Sequence, residues 1–196
     1  DVLLGHENYS NNEDYLYGTR QGQVVDGNFE LINFTTTTDL GSYQDNHRIE
    51  SYFGNLKYDL SSKYFLTLGG RTDGNSRFGS KVRWGNFWST SAAWLVTKEK
   101  FMENIKFVNF LKLRSSYGTT GNDAGISYYA SQVLYNLGRN NGLTPGIQQS
   151  TVLGNDSLTW EANGQFDIGV DFTLFNNRIS GSFEYFKRQT NFCAQC

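Results

Sequence analysis

The chain has 196 residues, a formal net charge of −2 and a single proline among 21 glycines; aromatic residues make up 16% of it. A charge so close to zero, with no basic stripe, argues against a nucleic-acid partner, and no run of 18 apolar residues is present to form a transmembrane helix. The mean hydropathy of −0.52 leaves a membrane barrel open, because half of each barrel strand faces water.

In chain order, Val2–His6 reads as a short strand. Residues 7–46 are polar and rich in Asn, Gly and Thr, and read as a long loop with a weak strand at Phe29–Phe34; long loops are usually functional. Arg48–Leu60 alternates: Tyr52, Gly54, Leu56, Tyr58 and Leu60 share one parity, and Phe53, Asn55, Lys57 and Asp59 the other. Ser61-Ser62 is a tight turn. The chain returns with Tyr64, Leu66, Leu68 and Gly70 opposite Thr67, Gly69, Arg71 and Asp73, a hairpin with one apolar and one polar side. Residues 72–83 form a polar loop around Asp73-Gly74. Trp84–Val96 is a strand with small residues on both faces. Thr97–Ile105 reads as a short helix capped by Thr97, with Phe101, Met102 and Ile105 on one side. Leu111, Leu113, Ser115 and Tyr117 then alternate with Lys112, Arg114, Ser116 and Gly118. Residues 119–157 form a second long loop, with Gly121-Asn122, Asn141-Gly142 and Pro145.

The clearest pattern spans Thr159–Thr173. Trp160, Ala162, Gly164, Phe166, Ile168, Val170 and Phe172 alternate without a break with Glu161, Asn163, Gln165, Asp167, Gly169 and Asp171. Successive side chains of a strand point to opposite faces, so this is a long strand with one apolar and one mostly acidic face. Mean strands are about 5–6 residues; a strand with lipid on one side and water on the other needs this length and pattern. Asn176-Asn177 turns the chain, and Ile179, Gly181, Phe183 and Tyr185 alternate with Ser180, Ser182 and Glu184.

Tight links at 61–62 and 176–177 and a modest one at 97–110 alternate with long ones at 8–47, 74–83 and 120–157. Short turns on one rim and long loops on the other is the outer-membrane barrel arrangement, and Tyr52, Tyr64, Trp84, Trp160 and Tyr185 near strand ends suit its aromatic girdles. The expected fold is all-β: about seven antiparallel transmembrane strands, part of a larger barrel. The alternative is a secreted β-sandwich, a carbohydrate-binding or adhesin module with Tyr and Trp at its rims.

Four segments carry a resemblance: SYFGNLKYDLSSKYFLTLGGRTDGNSRFG (51–79), WGNFWSTSAAWLVTKEKFM (84–102), LKLRSSYGTTGN (111–122) and LTWEANGQFDIGVDFTLFNNRISGSFEYFKRQT (158–190). In this order and spacing they resemble the barrel of SusC/RagA-type TonB-dependent transporters of the Bacteroidetes outer membrane. The resemblance implies a barrel of about 22 strands with a plugged lumen, glycan or peptide uptake, and a lid formed by a SusD-like surface lipoprotein. It also implies energy delivered by TonB through a plug domain that this sequence does not contain. Residues 1–190 are then an internal stretch of barrel. Residues 191–196 are an atypical tail that reads as a truncation or frameshift scar. Asn55 and Gly69-Gly70 depart from the family pattern, which often has Arg and larger residues there.

On this reading Tyr52, Leu56, Tyr58, Leu66, Leu68, Leu113, Phe166, Ile168, Val170, Phe172 and Phe183 face outer-membrane lipid. Asn55, Lys57, Lys112, Arg114, Glu161, Asp167 and Asp171 face the lumen, the three acidic residues either as a substrate-contacting ladder or as a solvated wall pairing with Arg or Lys of neighbouring strands. Arg71, Asp73, Arg77, Tyr128, Tyr129 and Tyr135 are the candidate ligand contacts; the charged three equally suit a loop anchored to the rim, and the tyrosines a sugar, a peptide or the lid. No catalytic constellation emerges, since no serine has a partnered His and Glu161 and Asp167 project along one wall. His6 and His47 have no metal-ligand spacing, and Cys193 and Cys196 form a lone C-x-x-C without a second pair. No cofactor is expected.

Overall fold

In the computed structural model, residues 1–141, 144–151 and 153–191 are described. Seven strands form one antiparallel sheet in chain order: β1 (Val2–Gln23), β2 (Phe34–Leu60), β3 (Tyr64–Asn75), β4 (Trp84–Leu95), β5 (Val108–Asn122), β8 (Glu161–Leu174) and β9 (Ile179–Asn191). Between β5 and β8 the chain makes a separate hairpin, β6 (Tyr135–Asn141) with β7 (Thr144–Gln149). Among the described residues no second layer packs on the large sheet, so it is a single curved wall and not half of a sandwich. Its accessible surface is 14360 Å², against roughly 9,400 Å² for a folded monomer of 22.2 kDa. The excess follows from two open faces.

The turns explain the hairpin register. Ser61 and Ser62 adopt φ of 57° and 53°, the left-handed conformation that two-residue hairpins require. The Asp59 carboxylate accepts the Ser62 N–H at 2.6 Å. Asn176 and Asn177, residues that tolerate this conformation, turn β8 into β9 at φ of 56° and 66°.

Three sequence expectations are corrected. Residues 7–46 are not a loop: beyond His6 and His47, β1 and β2 run on as a paired ribbon as far as Gln23↔Phe34. Both faces of that stretch are largely exposed, so neither has an apolar parity, and the backbone ladder alone defines the strands. Its tip, where a strand at Phe29–Phe34 was expected, is a 3-10 turn at Leu31–Asn33. There the buried Asn33 amide donates to the Val25 and Asn28 carbonyls, both at 2.7 Å. The helix expected at Thr97–Ile105 is two 3-10 turns, Val96–Lys98 and Lys100–Met102, split by Glu99 in an extended conformation. Thr97 caps nothing; the contacts of the Glu99 side chain with the sheet override the local helical pattern. The loop at 119–157 holds the β6–β7 hairpin, in which Pro145 pairs with Asn140. Gly142, Cys193 and Cys196 lie outside the described residues.

Candidate functional site

The pairing register sorts the expected side chains onto two faces. Tyr58, Leu66, Ala92, Ser115, Ile168 and Tyr185 form one cross-strand row. The next rows carry Leu56, Leu68, Tyr117 and Phe166 on one side and Tyr64, Trp94, Leu113, Val170 and Phe183 on the other. All eleven residues expected to face lipid thus share one face. Most are exposed, Ile168 at 48% and Phe183 at 74%. Aromatic contacts border this band at both ends. His6 stacks on Tyr52 and Trp88 packs against Tyr117 toward the long-loop rim. Tyr64 stacks on Trp94 and Phe172 on Phe183 toward the short-turn rim.

The opposite face carries Asn55, Lys57, Lys112, Arg114, Glu161, Asp167 and Asp171. Arg114, Asp167 and Asp171 are tied to the wall by side-chain contacts, whereas Lys57, Lys112 and Glu161 make no ion pair among the described residues. Arg114 reaches across Gly169 to donate to Glu184 at 2.9 Å and also pairs with Asp171 at 3.4 Å. A Cβ at Gly169 would lie 2.9 Å from the Arg114 Cζ, so glycine leaves the guanidinium its path across β8. Asp167 accepts from Gln165 at 3.1 Å and Ser116 at 3.4 Å. Solvent screens such pairs, so they add little stability singly, and the backbone ladder carries the register.

A denser cluster lies at the long-loop rim. Arg71 donates to Asp73 at 2.6 Å, Ser51 at 2.9 Å and Glu7 at 3.0 Å, bridging β3 to β2 and β1. Beyond it the fully buried Asn75 is a hub. Its amide oxygen accepts the Arg77 N–H at 3.0 Å and meets His47 Nε2 at 3.1 Å, and its amide nitrogen donates to Asp123 at 2.7 Å. Because that oxygen can only accept, the contact requires the proton on His47 Nε2. The Arg77 guanidinium donates to the Asp123 carboxylate and backbone carbonyl, both at 3.0 Å, and lies 4.8 Å from the Tyr128 ring centre. His47 sits between Tyr9 and Tyr128, and the Tyr129 hydroxyl donates to the Gln44 carbonyl at 3.2 Å. Next to this latch, Phe78, only 1% exposed, packs on Trp160. The largest buried apolar side chain of the described residues is therefore at the rim and not in the sheet.

Of the six candidate ligand contacts, Arg71 and Asp73 are thus engaged in joining β3 to β2 and β1, and Arg77, Tyr128 and Tyr129 in fastening the 123–160 segment to β2 and the end of β3. Tyr135 lies apart on β6 and is 56% exposed. His47, read from sequence as a polar residue and not a metal ligand, completes the latch with Asn75 and Asp123; the latter two escaped because the contacts that join them span 28 and 48 positions. The one signal was the density of turn-forming and charged residues at 73–79. Trp160, expected in a girdle, precedes β8 and packs with Phe78 and Phe87.

At the opposite rim the Glu99 carboxylate accepts from Tyr64 at 2.6 Å, Trp94 at 3.2 Å and Lys63 at 3.3 Å. The Tyr64 hydrogen bond, then that of Trp94, and lastly Lys63 hold its carboxyl below the ordinary value of 4.5. A carboxyl whose pKa is lower folded than unfolded stabilises fully above its unfolded value and loses that contribution as pH falls through the folded one. Trp94 fluorescence should accordingly change in acid at a pH below 4.5. In Glu99→Gln that transition should be absent; its persistence would assign it to another carboxylate.

One face apolar and bordered by aromatics, the other polar and internally charge-paired, with short turns at one rim and long segments at the other: this is the wall of a transmembrane β-barrel. The sequence profile of the family "TonB dependent receptor-like, beta-barrel" matches residues 1–194, and the chain belongs to that family. It is 38% identical over 84% of its length to TonB-dependent receptor P39 of Formosa agariphila, covering 15% of that protein. To TonB-dependent receptor SusC of Bacteroides thetaiotaomicron it is 29% identical over 97% of its length, covering 19%. A solved structure of the RagAB peptide transporter superposes with a TM-score of 0.85 at 28% identity, over 97% of this chain and 21% of that one. The chain therefore spans about a fifth or less of the relatives it matches, as outer-membrane barrel wall of the SusC/RagA type.

Proposed function

We propose that this chain supplies a seven-strand section, residues 1–190, of the barrel of an outer-membrane importer for glycans or peptides. The apolar face meets lipid. The face with Arg114, Asp167 and Asp171 meets the lumen, and the long-loop rim lies outside the cell. The whole importer works with a SusD-like surface lipoprotein as lid and is energised by TonB through its plug domain. The observation that carries this reading is the register continuity of the apolar face from β2 to β9. Contiguous exposed apolar surface of this extent marks a membrane or partner interface. Of the three candidate tyrosines, the exposed Tyr135 is the one turned to solvent and available to cargo or lid, whereas Arg77, Tyr128 and Tyr129 position the loop that carries it.

Membrane fractionation and heat-dependent gel mobility of the full-length protein test the barrel. A soluble product without a heat-dependent shift overturns it. Co-purification of a surface lipoprotein, and loss of labelled glycan or peptide uptake on deletion, test the transport reading. Residues 1–196 expressed alone are expected to associate or aggregate in water, because β1 and β9 leave open edges and open edges recruit other chains. A sharp, concentration-independent monomer in size-exclusion chromatography, with cooperative unfolding, would contradict this.

A further inference from the structure

We propose that the outer face, where β4 meets the short-turn rim, holds an anionic phospholipid, with one acyl chain in a groove over Ala92 and Ser115 and the phosphate on the lysines of the 96–107 turn. The proposal rests on the assignment of this face to lipid and adds a particular site and headgroup chemistry to it.

The groove has a volume of about 420 Å³ and an almost wholly apolar lining. It exists because the row Tyr58–Leu66–Ala92–Ser115–Ile168 places two small side chains side by side in mid-sheet. The Ser115 hydroxyl is directed away from hydrocarbon by its hydrogen bond to the Asp167 carbonyl at 3.2 Å. At the short-turn end the stacked Tyr64 and Trp94 rings close the groove, and their polar atoms are bound by Glu99. Phe101 packs edge-on against Trp94, which brings the 3-10 turn Lys100–Met102 to the mouth of the groove.

That turn has the composition of a membrane-interface segment. Lys98, Lys100 and Lys106 are exposed. Unlike Lys63, which is neutralised by Glu99, they have no carboxylate partner among the described residues. Interleaved with them, Phe101 is 62% and Phe107 55% exposed, and Phe107 stacks on Phe175 from the neighbouring turn. Rings at acyl depth with unpaired ammonium groups at headgroup level are the arrangement that attracts anionic lipid to a surface. The neutral Tyr64–Trp94–Glu99–Lys63 set orients the chain, and the free lysines provide the charge preference. Short turns face the periplasm, so the lipid belongs to the phospholipid leaflet and not to the outer one.

The test uses the full-length protein that carries this segment, reconstituted in phosphatidylethanolamine bilayers with and without phosphatidylglycerol. Retained lipid is identified by native mass spectrometry. Phosphatidylglycerol should be retained preferentially, with the preference falling about fivefold for each of K98Q, K100Q and K106Q at low salt. Ala92→Leu, which fills the groove and leaves the lysines in place, should also lose the retained lipid. Equal retention of the two lipids, or a preference untouched by every one of these variants, would overturn the proposal. So would a groove covered by a second copy of the chain, seen as Ala92→Leu abolishing dimerisation while lipid retention stays constant. Heat-dependent mobility of the same samples separates the two readings: a folded barrel without headgroup preference rejects only this site, and absence of a barrel rejects the assignment beneath it.

Discussion

Ile168→Arg should destabilise the full-length barrel by about 2–4 kcal/mol, and Asp167→Arg by far less, although the two residues are adjacent. Ile168 lies mid-strand between Ser115 of β5 and Tyr185 of β9, on the face that carries Leu66, Leu68 and Phe166. On the proposed assignment of that face to lipid, an arginine there puts its guanidinium into hydrocarbon or drags water toward the midplane. Asp167 points the other way, beside Ser116 and Gln165. Arginine at that position loses the hydrogen bonds from Ser116 and Gln165 but remains on the polar face, with Glu184 one strand away. The comparison is made by denaturant unfolding of the reconstituted full-length protein and by the fraction with heat-dependent mobility. Tolerance of Ile168→Arg together with loss of folding in Asp167→Arg would reverse the two faces.

The second large effect is expected at the rim. Asn75→Ala should release the 123–160 segment from the sheet. Asn75 is wholly buried, and its amide serves His47, the Arg77 N–H and Asp123 at once. Truncation leaves these groups facing a cavity too shielded to hydrate freely. A buried polar group deprived of its partner costs about 1–3 kcal/mol, and Asp123 carries charge as well. The strands below do not depend on Asn75, so the loss should be local. Limited proteolysis should cut between 123 and 160 much faster in the variant, while the barrel keeps its heat-dependent mobility. Asn75→Asp should show an intermediate effect, because it keeps the acceptor for His47 and Arg77 but sets two carboxylates face to face. Unchanged cleavage in Asn75→Ala would mean that the remaining ties, Arg77 to Asp123, Tyr129 to Gln44 and Phe78 on Trp160, hold the loop without it.

How much was legible follows from where the side chains sit. Where one face meets apolar surroundings and the other water, parity declares itself. Tyr52–Leu60, Tyr64–Leu68 and Phe166–Phe172 could therefore be paired, oriented and assigned to a barrel from residue order alone. The ribbon of β1 and β2 beyond His6 and His47 could not. Asn11, Asn12, Glu13 and Asp14 on one strand and Thr35–Thr38 on the other have water on both sides, and polarity without alternation reads as loop. The same failure in reverse produced the helix at Thr97–Ile105. There the spacing of Phe101, Met102 and Ile105 is helical, but Glu99 is drawn onto Tyr64 and Trp94 of the sheet and Lys63 of the adjoining turn, and these three hydrogen bonds outweigh the propensity of so short a segment.

The sequence by itself determined the all-β class, the seven wall strands, the tight turns at Ser61-Ser62 and Asn176-Asn177, and which residues share each face. All of these depend on contacts that are local or that repeat with period two. Only the tertiary structure decided the rim: that His47, Asn75, Arg77, Asp123 and Tyr128 are one latch, that Phe78 and Trp160 bury each other, and that Ala92 and Ser115 leave a groove. Such contacts join residues dozens of positions apart by one-off geometry. No periodicity announces them, and it is the register of the whole sheet that brings them together.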